Sequence, residues 1–279
     1  MRSRWICLAA FLAALFAASP APAEERALLL ATTTSVRDSR LLDELLPRFH
    51  AGTDVRVKTI AVGTGAALRM GSEGNVDVLL THAPSAEQEL VASGSVVSRE
   101  PFMENYFVIA GPPEDPAAIR QAASPADAFR RLAAASAAYV SRGDDSGTHK
   151  RELALLAAAG LARSEAWTGF LQTGSGMGLT LQVAGQRRAY VLSDIGTFLA
   201  YRERTALASL SRPHPELRNV YSVLRVNPAL FPDRIQAAAA EQFSAFLLDV
   251  KTQEQIGSFG LERFGRPLFR PLFIDLGAD

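Results

Sequence analysis

Nine consecutive residues, Ser141-Arg142-Gly143-Asp144-Asp145-Ser146-Gly147-Thr148-His149, bring together a guanidinium, two carboxylates, an imidazole and three hydroxyls. They join the apolar run Ala137-Ala138-Tyr139-Val140 to the helix-like Lys150-Arg151-Glu152-Leu153-Ala154-Leu155-Leu156. A strand that ends in Gly, Ser and Thr and passes straight into a helix turns free backbone N–H groups and hydroxyls toward one point. Arg142 adds a fixed positive charge there, and the sum is the chemistry of an anion site. Two other turns repeat the arrangement. Leu28-Leu29-Leu30-Ala31 runs into Thr32-Thr33-Thr34-Ser35, ahead of a segment with Leu41, Leu42, Leu45, Leu46 and Phe49 on one helical face. Val55-Arg56-Val57-Lys58-Thr59-Ile60 runs into Gly63-Thr64-Gly65. Three such turns from separate parts of the chain predict one cavity built from several helix N-termini.

Each motif also has a plainer reading. Ser and Thr favour helix N-caps whatever the function, but a single cap needs one hydroxyl and positions 32–35 supply four. Gly63-Thr64-Gly65 lacks the spacing of a dinucleotide or P-loop fingerprint. Asp145-Ser146-Gly147, with His149 close by, invites a serine-hydrolase reading. Ser146 and His149 stand three residues apart at a helix start, where a hydroxyl serves as a cap more naturally than as a nucleophile held against imidazole. His50, His82, His149 and His214 are scattered without metal-ligand spacing, and a hydrogen-bonded structural role suits His82 and His149. Asp144 or Asp145 is placed to hold Arg142 by a bidentate pair. Ser175-Gly176-Met177-Gly178-Leu179-Thr180 and Ser193-Asp194 with Gly196-Thr197 are further helix starts, read equally as packing glycines or as cleft lining.

The elements that position these turns alternate between strand and helix. Strand-like 76–80, helix-like 85–93 and strand-like 106–110 continue the pattern, which predicts an α/β chain with mostly parallel sheets flanked by helices. Gly111-Pro112-Pro113 and Asn227-Pro228 punctuate two strands that cross between lobes. One lobe then comprises 24–109 and 226–279, the other 110–225, with the anion turns facing each other across a cleft. Residues 1–23 read as a signal peptide: Arg2 and Arg4, an apolar run, then Ala21-Pro22-Ala23. That run is shorter than the roughly 20 apolar residues of a spanning helix. The only cysteine, Cys7, lies inside it, so the mature chain has no disulfide, thiolate metal site or cysteine nucleophile. Losing Arg2 and Arg4 from 29 basic residues leaves 27 against 29 acidic ones, a balance without the basic footprint of a nucleic-acid binder.

These residues resemble the substrate-binding proteins of bacterial ABC-type tungstate transporters, within the periplasmic binding-protein fold. The likeness runs over nearly the whole mature chain. It rests on Ala31-Thr32-Thr33-Thr34-Ser35, Ile60-Ala61-Val62-Gly63-Thr64-Gly65, Asp77-Val78-Leu79-Leu80-Thr81-His82-Ala83-Pro84, residues 141–149, Gly176-Met177-Gly178, Val226-Asn227-Pro228 and Gly265-Arg266-Pro267-Leu268-Phe269. The Arg-Gly-Asp-Asp-Ser-Gly-Thr-His string is the specific one. The resemblance implies oxyanion contacts at Thr33, Thr34, Ser35, Thr64, Arg142, Ser146, Gly147 and Thr148. It also implies a two-lobed periplasmic protein that closes on its ligand and delivers it to a membrane permease. Two positions depart from the family's pattern. Arg40 replaces an expected glycine, a change assigned to a helix surface, and Ile195 replaces an arginine expected in an Asp-Arg-Gly-Thr string, which removes a second-lobe cation. The expectation is thus a monomeric, non-enzymatic, cofactor-free receptor for tungstate, with molybdate next. Phosphate or sulfate receptor, secreted hydrolase using Ser146 and His149, and ligand-sensing module are the alternatives.

Overall fold

A computed structural model describes residues 27–161 and 167–274; the expected signal peptide, 1–23, lies outside the described residues. The strands are β1 Leu28–Thr33, β2 Val57–Val62, β3 Val78–Thr81, β4 Val96–Gly111, β5 Tyr139–Ser141, β6 Phe170–Gln172, β7 Val191–Asp194, β8 Ala208–Ser209, β9 Arg218–Val226 and β10 Arg270–Pro271. The helices are α1 Thr34–Ser39, α2 Leu41–Gly52, α3 Thr64–Ser72, α4 Pro84–Ala92, α5 Pro125–Ala134, α6 Gly147–Ala158, α7 Met177–Gln186, α8 Ile195–Thr205, α9 Ala237–Leu248, α10 Val250–Ser258 and α11 Leu261–Phe264. Among the described residues no helix is long and apolar enough to cross a membrane.

The first sheet runs β10-β4-β9-β3-β1-β2. Leu28, Leu30, Ala31, Val78, Leu79 and Leu80 are wholly buried, as the inner strands of a sheet covered on both faces must be. On one face Leu41, Leu45 and Phe49 of α2 pack with Phe243 and Leu247 of α9 and Ile256 of α10; on the other, Ala67 and Leu68 of α3 pack with Leu79, Leu224 and Val226. A further apolar cluster joins Phe107 and Ile109 of β4 to Phe129 and Leu132 of α5, Leu155 and Leu156 of α6, and Trp167. These helices and sheets give the α/β architecture expected from the alternation.

The pairing itself is mixed, not mostly parallel. β1–β2, β1–β3 and β5–β6 are parallel, whereas β3–β9, β4–β9, β4–β10, β4–β7 and β4–β8 are antiparallel. The cause is β4, which is far longer than the apolar 106–110 suggested. Its first part, charged and interrupted by Pro101, is accommodated by register shifts against β9 between Val96 and Ser98 and between Pro101 and Met103. β4 changes partner between Tyr106, opposite Arg218 of β9, and Phe107, opposite Asp194 of β7. Among the described residues β9 pairs only with β3 and β4, although the lobe boundaries drawn from punctuation put most of it in 110–225. The chain therefore passes between the two sheet regions at Tyr106–Phe107 and again in the segment that leads from β8 to β9, side by side.

Candidate functional site

The parallel strands β1 and β2 both end at the same edge, and the helices that follow them start there. At the first turn Thr33 is the N-cap of α1, its Oγ1 accepting from the Val36 N–H at 3.3 Å. Thr34 and Ser35 open the helix. Thr33 and Ser35 are buried, and Thr64, the first residue of α3, is completely so. α1 ends at Arg40, whose φ of 65° lies in the left-handed region. The glycine expected at position 40 thus answers a backbone demand, not the helix surface to which the arginine was assigned.

The facing wall is the turn from β5 into α6. Gly143 and Asp145 adopt φ of 62° and 58°, folding the loop back on itself. The folded loop places Asp144 beside Arg142: Arg142 Nε donates to Asp144 Oδ2 at 2.8 Å, and the Ser146 N–H donates to Asp144 Oδ1 at 3.2 Å. Ser146 caps α6 by accepting from the His149 N–H at 3.2 Å. The Asp145 N–H donates to His149 Nδ1 at 3.1 Å, and burial lowers the pKa of that imidazole. From behind, Thr173 Oγ1 donates to the Arg142 carbonyl at 3.2 Å. Ser175 and Thr180 belong to this buttress: Thr173 and Thr180 share a hydroxyl contact of 2.8 Å.

Arg142 is 2% exposed. With Nε committed to Asp144, its outer nitrogens reach across to the first wall. Nη2 donates to Thr34 Oγ1 at 3.0 Å and Nη1 to Ser35 Oγ at 3.5 Å. A second crossing joins the Gly147 N–H to Thr64 Oγ1 at 2.9 Å. The structure thus brings Thr34, Ser35 and Arg142 together, and Thr64 with Gly147. A hydroxyl that accepts from a donor keeps its own O–H to give. Thr148 Oγ1 is wholly buried and has no hydrogen-bond partner among the described residues.

Asp194 caps α8, accepting from the Thr197 N–H at 2.9 Å and the Thr197 hydroxyl at 2.7 Å. Burial raises its pKa, opposed by those bonds and by Arg142. Ile195 is buried in the apolar core and lines a cavity of about 550 Å³ with Phe107, Phe198, Arg202 and Arg266. Within α6, burial pushes the Glu152 carboxyl up to about 7 despite the Tyr139 hydroxyl donating to it at 3.0 Å.

One cluster had no sequence signal beyond a lone histidine. His82, in the connection from β3 to α4, stacks on Tyr221 at 4.7 Å, and its Nδ1 meets Asn219 Oδ1 at 2.9 Å. Asn219 Nδ2 donates to Asn105 Oδ1 and to the Tyr221 hydroxyl. The structural role expected of His82 is present. Its partners were invisible because Asn105 and Asn219 meet only through the β4–β9 register.

The geometry describes two walls of hydrogen-bond donors, meeting where strands cross between two α/β units, with one buried guanidinium between them. Such a cleft suits an anion rich in acceptors, and the Ser146 hydroxyl is engaged with the backbone of His149, not with its imidazole. A family model, PBP superfamily domain, matches residues 18–251, and the chain belongs to that superfamily. The tungstate-binding protein TupA of Peptoclostridium acidaminophilum is 41% identical over 247 residues, which cover 88% of this chain and 85% of the relative. Among solved structures, the tungstate-binding protein TupA from Desulfovibrio alaskensis G20 superposes with a TM-score of 0.78 at 39% identity, covering 88% of this chain and 98% of the other. The tungstate ABC transporter structure from Geobacter sulfurreducens gives a TM-score of 0.75 at 40% identity, covering 84% and 99%. Within the superfamily, the chain belongs to the family of these tungstate-binding transport proteins.

Proposed function

We propose that this protein is the extracytoplasmic receptor of an ABC transporter, binding tungstate first and molybdate next. Arg142 carries the reading. It is a buried guanidinium with one edge held by Asp144 and the other facing the hydroxyls of Thr34 and Ser35. A tetrahedral dianion seated there accepts from Arg142, from the hydroxyls of Thr33, Thr34, Ser35, Thr64, Ser146 and Thr148, and from the Gly147 turn at the α6 N-terminus. The two lobes close on it by rotation about the crossings at Tyr106–Phe107 and between β8 and β9. The protein works in the periplasm as a monomer, hands its ligand to a permease, and uses neither a cofactor nor a catalytic step.

The choice of anion rests on proton bookkeeping. Tungstate and molybdate near neutral pH carry no proton, so donors alone satisfy all four oxygens. Phosphate keeps a P–OH that needs an acceptor, and the three aspartates of these turns already hold donors. Asp144 accepts from Arg142 and Ser146, Asp145 from Lys150, and Asp194 from Thr197. An unpaired buried donor costs about 1–3 kcal/mol, enough to reject phosphate. Sulfate is excluded by size, because a cage fitted to longer metal–oxygen bonds leaves its hydrogen bonds stretched.

Calorimetric titration with tungstate, molybdate, sulfate and phosphate tests this, run beside small-angle scattering. The expected result is tungstate binding that survives a large excess of sulfate or phosphate, with compaction of the particle. Comparable phosphate affinity would mean that a carboxylate faces the ligand and would overturn the assignment.

A further inference from the structure

His82 belongs to the first wall, yet its ring rests on the second. A methyl group built on Gly147 would stand 2.6 Å from His82 Cε1 and 3.0 Å from Nδ1, so the imidazole edge lies directly on the α6 backbone. The ring is 4% exposed and clamped from behind by Tyr221 and Asn219. Asn219 spends its amide hydrogens on Asn105 and Tyr221, and its oxygen therefore accepts from Nδ1–H. This leaves Nε2 as the lone-pair nitrogen, buried and without a partner among the described residues.

Burial and the nearby positive charges oppose a charge on the ring, against the Asn219 hydrogen bond and Glu87, which favour one. α6 is a 12-residue helix that presents the positive end of its dipole at Gly147. Arg142 and Arg151 act in the same direction, while Glu87, the acid that favours a cation here, is already paired with Arg99 at 2.9 Å and accepts from Thr81 and the Ala83 N–H. Tyr221 and Asn219 carry no charge themselves, although the Asn219 hydrogen bond favours a proton on the ring.

We propose that His82 is a positioning residue for lobe closure: its imidazole is the seat on which the α6 N-terminal turn comes to rest. The proposal rests on the closure reading above. With the α6 turn against it, burial, reinforced by Arg142 and Arg151 and opposed by the Asn219 hydrogen bond and Glu87, lowers the pKa of the ring from the ordinary 6.5 to about 4, so closure releases a proton that a solvated ring would hold. A group whose pKa falls on closure favours the closed form above the open-state value. That contribution is lost as pH falls from about 6.5 toward 4, making ligand affinity about tenfold weaker near pH 5.5 than near pH 7.5.

Calorimetry of tungstate binding at about pH 6, in two buffers of different ionisation enthalpy, reads the protons released. About three-quarters of a proton per site is expected from the wild type, and that amount should disappear from His82→Gln, which keeps a donor for Asn219. Carbon-13 NMR of the imidazole Cε1 in the wild-type protein reads the same event without a variant. The His82 midpoint should lie near the ordinary histidine value in the free protein and fall below about 5 with tungstate bound. Compaction in scattering together with equal proton release from both proteins, or an unmoved His82 midpoint, would overturn the role of His82 alone. Tungstate binding without compaction would overturn the closure reading, and this proposal with it.

Discussion

The turn from β1 into α1 and the turn from β5 into α6 both offer a helix N-terminus to the same cleft, but by different means. The first is uncharged: three hydroxyl residues, one of them a cap, lead into a helix of six residues. The second holds Arg142, two left-handed residues, and a carboxylate that ties the guanidinium to the following turn. A neutral hydroxyl loses little when it is misdirected, since it rotates to suit its partner. A buried guanidinium without its acceptors is far costlier, so the charged wall is built stiff. The hydroxyls of Thr34 and Ser35 then take their orientation from it.

If the walls divide the work in this way, Arg142→Ala produces the largest loss, about 2–5 kcal/mol of tungstate affinity by titration, as for truncating a buried charge partner. Gly147→Ala comes next. Its methyl group meets the His82 ring at 2.6 Å and forces the walls apart at a cost of about 1–3 kcal/mol, read as weaker binding with less compaction in scattering. Thr148→Ala and Thr33→Ala should each cost about 0.5–1.5 kcal/mol, the net value of a neutral hydrogen bond. Equal losses for Arg142→Ala and these two would erase the distinction between the walls. The smallest effect on binding belongs to Arg40→Gly. Releasing the left-handed strain behind α1 should raise stability by about 1 kcal/mol in denaturant unfolding while leaving tungstate affinity unchanged.

The sequence by itself determined the local chemistry. Hydroxyls and glycines between an apolar strand and a helical stretch dictate caps and free N–H groups through backbone geometry, and Arg142 within such a turn announces an anion. The α/β plan was legible from the alternation of elements, and its two lobes from the punctuation at Gly111-Pro112-Pro113 and Asn227-Pro228. What the tertiary structure decided is every relation between distant residues. Arg142 meets Thr34 across 108 positions and Gly147 meets Thr64 across 83. His82 finds Asn219 only through the β3–β9 pairing, and β4 extends through the charged Arg99-Glu100 because β9 supplies its partner. Arg40 shows the same limit at short range, since arginine gives no sign of the left-handed backbone that the α1–α2 junction imposes. Side-chain pattern reports which face of a segment is buried. Strand register and lobe contact depend on partners elsewhere in the chain, and no local window contains them.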